Sequence, residues 1–536
     1  MVSRIVLAAL ASLILIAGDD VARAQAPAPN PAVEKHPSDL LANWINSRFE
    51  ELWKQAGVEQ KETIDDATFL RRAYLDLIGK IPSVAQARDF LEDAAKNKRD
   101  KLVNQLAADN RSNAHLARVW SRIMIPTGSP GVRAGFGGPL QPWLEQQFAS
   151  RVPYDQFARE LITAKADGTG MARVPNAPTT RGIGSPAAFY VAIGNTPDSS
   201  ASAISRIFLG VRIGCAKCHN HPFADWRQDD FWGMAAFFAG ASVGQPNAPP
   251  TDTKVTKIKP MESEKEYPVR FLWSDGPAEI PADKFPRDLL ADWMVSKQNP
   301  NFAAAAVNRV WQQLCGQGLI PHVDDLDQAS PKDRAMVLDD LARLFVENEY
   351  DVQWLIKGIC KSRVYQRLSA TAEKPAEDTP LSTHRPLKTL TPEQVFDSLE
   401  QALMLPVGRG NPESARFSGQ GGALMQRLNE AFSDNPDQFR AGIPQALLIM
   451  NGVMISTATD LDESRTLRAI VDARFLEPAK KIEALYLAAL TRQPEPRELE
   501  KMLSHVQGQP SEDDRRLAYT DIYWALLNSP EFVLSR

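Results

Sequence analysis

The stretch GCAKCHNHPF, residues 214–223, places two of the chain's four cysteines and two of its seven histidines between Cys215 and His221. Cys215-Ala216-Lys217-Cys218-His219 has the C-x-x-C-H spacing that attaches c-type haem. The spacing has a mechanical reason. Two thiols about one helical turn apart reach both vinyl groups of a porphyrin, and the adjacent imidazole falls under the ring to bind iron. With this composition, chance would produce the pattern in roughly a few chains in ten thousand.

Two other chemistries use the same residue types. Cys215, Cys218, His219 and His221 are suitable zinc ligands, with His219 and His221 as the imidazole pair. Four ligands crowded between residues 215 and 221 are cramped for a tetrahedral site, which usually draws its pairs from separate segments. A disulfide or free dithiol explains neither histidine. Haem c is therefore the leading expectation, held by Cys215 and Cys218 with His219 as axial ligand, and zinc is the alternative. His221 lies too close in sequence to reach the opposite face of the ring, so it is expected to hydrogen-bond beside the site. Met234 is the nearest methionine, but it stands among Phe231, Trp232, Phe237 and Phe238 at helical spacing, the pattern of a core residue. Phe223 and Trp226 are read in the same way, as packing aromatics that a haem pocket would also suit.

Elsewhere the chemical signals are weaker. Cys315 and Cys360 fall on apolar helical stretches and read as buried thiols, with a mutual disulfide as the sharper alternative. Asp324, Asp325 and Asp327 beside His322 read as a solvated loop, because no full calcium-loop pattern is present. There is no G-x-S-x-G, H-E-x-x-H, G-x-x-x-x-G-K-[ST] or G-x-G-x-x-G. Catalytic residues, and whether the chain is an enzyme, stay open.

The elements that must position the cluster are helical. In SDLLANWINSRFEELWKQAG, Leu40, Leu41, Trp44, Ile45, Phe49, Leu52 and Trp53 are expected to share one helix face, with Ser38 as expected N-cap and Gly57 as stop. Similar patterns run through DDATFLRRAYLDLIGK, SVAQARDFLEDAA and LQPWLEQQFASRV, and resume from Pro286 to the end. Pro494-Glu495-Pro496 separates two late helices. Residues 166–200 are rich in Gly, Pro, Ser and Thr and read as a long loop leading into the cluster. In VRFLWSDGPAEI, alternation of Val269, Phe271 and Trp273 before Asp275-Gly276 predicts at most a small hairpin near 269–280. The fold class expected is mainly α: two helical domains, 37–241 and 286–536, joined by a linker at 242–285.

The first 24 residues carry a basic start at Arg4, an apolar run from Ile5 to Gly18, and Ala22-Arg23-Ala24 before Gln25. This is the pattern of a cleaved secretory signal, and the apolar run is short for a membrane span. A proline-rich linker, 25–36, follows. The expectation is a periplasmic or secreted protein with no stable membrane span after cleavage. A formal net charge of -5 gives no basic excess and so no expectation of nucleic-acid binding.

RIFLGVRIGCAKCHNHPFADWRQDDFWGMAAFFAG resembles the planctomycete cytochrome-related domain type two, domain of unknown function fifteen-forty-nine. DDATFLRRAYLDLIGKIPS and VPYDQFARELITA look like other segments of that domain. FAAAAVNRVWQQLCGQGLIPHVDDL and IYWALLNSPEF are similar to planctomycete-specific domain one, domain of unknown function fifteen-fifty-three. The resemblance implies an exported protein without an established reaction, whose motif positions are Cys215, Cys218, His219 and His221. It departs from the family pattern in that the acidic residue after HPF comes one place later, as Asp225. Larger relatives carry a separate cytochrome c domain, so any haem here must use the internal motif. The functions expected are electron transfer or redox work with an unknown exported redox partner. The alternatives are a zinc-stabilised scaffold that binds extracellular polymers beside a polysaccharide-related protein, or a polysaccharide-active hydrolase.

Overall fold

A computed structural model describes residues 35–57, 63–125, 140–165, 184–221, 224–241, 252–261, 263–330, 334, 336–369, 385–404, 460–461 and 464–535. The expected signal peptide, Phe223 and residues 166–183 of the expected loop lie outside the described residues.

The described chain is mainly α-helical, as the periodicity predicts, with nineteen α-helices and two small antiparallel strand pairs. The N-terminal part contains α1 (Ser38–Gln55), α2 (Asp66–Leu77), α3 (Val84–Glu92), α4 (Lys98–Ala107) and α5 (Asn110–Met124). It continues with α6 (Leu140–Ala149), α7 (Tyr154–Ile162), α8 (Ala187–Ala192), α9 (Pro197–Ile204) and α10 (Gln228–Ala236). Next come β1 (Lys257–Ile258), β2 (Tyr267–Pro268), α11 (Pro286–Met294), α12 (Pro300–Cys315), α13 (Leu338–Glu347) and α14 (Val352–Lys361). The last part holds β3 (Lys388–Thr389), α15 (Pro392–Leu403), α16 (Arg465–Val471), α17 (Pro478–Leu490), α18 (Pro496–Gln507), α19 (Glu512–Leu527) and β4 (Leu534–Ser535).

Local chemistry sets the ends of these helices. Asp65 caps α2 by accepting from Thr68 N at 2.7 Å, and Pro300 occupies the first turn of α12, where its missing N–H costs nothing. Pro496 opens α18 in the same way. Ser38, expected as a cap, is the first residue of α1 instead, and its hydroxyl accepts from Lys361 Nζ at 3.0 Å.

Two expectations are corrected in detail. Part of the expected loop at 166–200 is helical: α8 and the first turn of α9 lie within its described end, and Thr196 and Ser199 form a reciprocal capping box around Pro197. The small strand pair exists but lies upstream of 269–280, joining Lys257 to Pro268 and Ile258 to Tyr267. Downstream, Val269 O accepts from Ala278 N at 2.8 Å and closes a loop, with Trp273 in the left-handed region at φ 61°.

The apolar core does not divide at residues 242–285. One cluster runs from Leu41 to Tyr365 and packs α1–α10 with α11–α14. A second gathers α15–α19 around Leu485, Tyr486 and Tyr523, and takes in Leu75 and Ile81 from the N-terminal part. The intervening segment is itself packed, with Val269 and Leu272 buried and Asp252 bonded to the buried Arg287 at 2.6 and 2.8 Å.

Helix α2 lies between the clusters. Arg71 donates to Ala489 O at 3.1 Å and Phe532 O at 2.6 Å, while Arg72 donates to the carbonyls of Tyr365 and Arg367. Asp76 is fully buried and accepts from Tyr365, Arg385 and Lys388. Paired in this way, its charge is tolerable inside the protein. Cys315 and Cys360 are buried free thiols, so the mutual disulfide is not formed.

Candidate functional site

The cysteine–histidine cluster begins where α9 widens into a π-helical turn, Ser205–Leu209, that ends at Gly210 in the left-handed region. A tighter 3₁₀ turn, Gly214–Lys217, follows, with Ala216 N donating to Ile213 O at 3.0 Å. Ala216 is fully buried and pins this turn to the core. Cys215, Lys217, Cys218 and His219 consequently face outward, and both thiols are exposed and free.

The segment after the turn is held by polar contacts from α10. Trp232 Nε1 donates to Lys217 O at 3.1 Å, Gln228 Nε2 donates to Cys218 O at 2.9 Å, and Gln228 N donates to Asn220 Oδ1 at 3.2 Å. Lys217 Nζ lies 2.6 Å from Asp198 of α9. Burial works against the charge on Asp198, yet its bonds from Lys217 and Thr196 keep its carboxyl below the ordinary range. Met234 is fully buried in α10, the core position its neighbours implied, and Trp226, Phe231 and Trp232 are buried as well.

The two histidines are differentiated by their hydrogen bonds. His219 is exposed, and its Nδ1 lies 2.8 Å from Asn220 O. A carbonyl only accepts, so this contact requires a proton on Nδ1, and in the neutral ring the lone pair is then on Nε2. His221 is half-buried, and its Nδ1 accepts from Ala224 N at 2.9 Å. In the neutral ring its proton then sits on Nε2. Among the described residues, no three His, Cys, Asp or Glu side chains are gathered closely enough to hold a metal ion.

The part of the site that the sequence reading missed comes from residues 322–327. Asp324 was expected in a solvated loop but is largely enclosed by Arg206, Arg212 and Arg309. Burial raises its carboxyl, and Arg309 and Arg206 more than reverse that, holding it below the ordinary range. Asp327 accepts from Trp226 Nε1 at 2.8 Å, and burial lifts its carboxyl above the ordinary range. His322 remains exposed. Arg309 carried a signal that could have been read: an arginine between Val307 and Val310 in an apolar helix must find buried acceptors, and it takes Ile207 O and Arg206 O.

Comparison with known families agrees with the segments that the motifs suggest. Residues 44–242 match the family model PSCyt2, protein of unknown function (DUF1549), and residues 286–419 match PSD1, protein of unknown function (DUF1553). No curated protein and no solved structure matches the chain.

Proposed function

The chain belongs to the proteins that carry the DUF1549 domain followed by the DUF1553 domain, and from that premise we propose that it is an exported c-type haem protein serving electron transfer. The observation that carries this reading is the exposed turn from Cys215 to His219, on which both thiols are free and the contact of His219 Nδ1 with Asn220 O leaves the lone pair of the neutral ring on Nε2. A carbonyl or carboxylate on the far nitrogen is the usual way a protein fixes an imidazole for an iron or zinc ion.

Cys215 and Cys218 would hold the porphyrin as thioethers. Their S–H bonds would add across its two vinyl groups, an attachment that would consume no oxidant. When bound, the iron would supply reversible one-electron chemistry. His219 would supply the imidazole that holds the iron, and the contacts from Gln228 and Trp232 would hold the turn that carries it. The zinc alternative calls for His221 as a fourth ligand. Its Nδ1 is already engaged by Ala224 N–H, which puts the neutral ring's proton on Nε2, so ligation would require the loop to rearrange.

The test is a haem-stained denaturing gel with a reduced pyridine haemochrome spectrum, on protein exported with c-type maturation factors. A covalent haem band lost in the Cys215→Ala, Cys218→Ala variant supports the reading. A haem-free protein retaining zinc would replace it with the scaffold alternative, and glycan cleavage without a redox partner would replace it with the hydrolase alternative.

A further inference from the structure

Residues 322–327 belong to the second family segment, yet they close over the loop of the first. Leu326 N donates to Gly210 O at 2.8 Å. Gly210 has φ 65°, and a Cβ there would stand 2.7 Å from Leu326 Cδ1, so this approach requires glycine. Arg309 of α12 binds the carbonyls of Arg206 and Ile207 and pairs with Asp324. These contacts fix the start of the cluster. Its end is fixed by Trp226, whose backbone oxygen accepts from His221 N at 2.8 Å and whose indole N–H donates to Asp327 Oδ2 at the same distance.

We propose that Asp327 is a positioning residue for the cysteine–histidine loop. Acting through Trp226, it holds the return segment against which His221 is bonded, and so sets where residues 215–221 stand on the core. Packing alone would not require this carboxylate: the Trp226 ring already lies edge-on to Trp273, with centroids 5.5 Å apart. The buried indole N–H supplies the reason, since it needs an acceptor and an ionised one binds it more strongly than a neutral one. The tandem arrangement of the two family segments thereby acquires a physical role, because the second segment completes the loop of the first. The proposal rests on reading residues 215–221 as the functional site, and not on which group they hold.

The test uses the full mature chain without haem. Arg212, Lys217 and Arg227 are exposed, so trypsin reports on the loop directly. Asp327→Ala should speed cleavage at these three positions by about tenfold, the size expected for losing a hydrogen bond to a charged acceptor. Cleavage elsewhere should be unchanged, whereas a general loss of stability would raise it at every site. Asp327→Asn keeps an accepting oxygen but loses the charge, and should fall between the parent and Asp327→Ala. If Asp327→Ala does not fold, Trp226→Phe keeps a ring, removes only the donor, and should show the same selective effect. Parental loop cleavage in a folded Asp327→Ala or Trp226→Phe variant overturns the proposal. Failure of haem attachment in matured protein would overturn the haem reading and leave this result untouched.

Discussion

Replacing Asp76 with alanine should cost about 3–5 kcal/mol, the range for breaking a buried ion pair from one side. The carboxylate is 1 % exposed and accepts from the Tyr365 hydroxyl at 2.9 Å, Arg385 at 2.8 Å and Lys388 at 3.2 Å. Removing it leaves the guanidinium of Arg385, itself 2 % exposed, and the buried Tyr365 hydroxyl without their carboxylate, while Lys388 keeps Gln313 O at 2.8 Å. Arg385 and Lys388 lie on the segment that enters the second apolar cluster, whereas Asp76 lies on α2, so the cost falls on the joint between them. For a cooperative unit of about 150 residues this corresponds to a fall of roughly 10 °C in the midpoint of that cluster. Calorimetry of the full chain reads it, either as a lower midpoint or as a transition that separates from the rest. Adding Arg385→Ala should cost less in the Asp76→Ala background than in the parent, because the stranded charge is then gone. Acid should act in the same direction. Burial opposes the charge on Asp76, but Lys388 and Arg385 prevail and hold its carboxyl below the ordinary 3.8. Its stabilisation is therefore full above that value and lost as pH falls through the lower folded value. An Asp76→Ala midpoint within about 2 °C of the parent would refute the reasoning.

Three further outcomes follow from other parts of the molecule. Gly79 has φ 84°, and a Cβ there would meet His115 Nδ1 at 2.3 Å, so Gly79→Ala should destabilise by about 2–4 kcal/mol in thermal denaturation. Burial, reinforced by Arg118 and Lys388, pushes the His115 imidazole from 6.5 down to about 3. Between those values the unfolded chain binds a proton that the folded chain does not, so stability falls as pH falls. His115→Gln should accordingly lose about 2–3 kcal/mol less than the parent between pH 6.5 and 4.5, as measured by thermal midpoints. Cys215→Ser and Cys218→Ser replace exposed thiols and should change stability by less than about 0.5 kcal/mol, so any loss of cofactor in these variants reads attachment and not folding.

Helix α1 was legible in the sequence because it buries one face, although Leu40, expected on that face, is exposed; α2 and α12 show helical apolar spacing as well but are buried on nearly every side. Helices α8 and α9 were not, since Gly, Pro, Ser and Thr on either side read as loop. The Thr196-Pro197 cap was nevertheless present to be seen. Alternation at Val269, Phe271 and Trp273 suggested a strand, but Arg270 folds the chain back by bonding Ser274 O at 2.5 and 3.0 Å. Strands β3 and β4 pair segments far apart in sequence, which no local pattern reports. The candidate site divides in the same way. Its cysteines and histidines were visible because their spacing is local. Asp324 and Asp327 were read as solvated because Arg206, Arg212 and Trp226 lie about a hundred residues away, and because Arg309, only 15 residues from Asp324, was read as part of an apolar helix.

The central claim, that Cys215 and Cys218 carry haem with His219 below it, is tested most directly by the mass of the mature protein exported from a host with active c-type maturation. The account predicts a polypeptide one haem heavier than its sequence, with the added mass mapped to the peptides containing Cys215 and Cys218 and absent when both are alanine. An unmodified mass with both thiols free, from cells whose own c-type cytochromes are fully loaded, would contradict it.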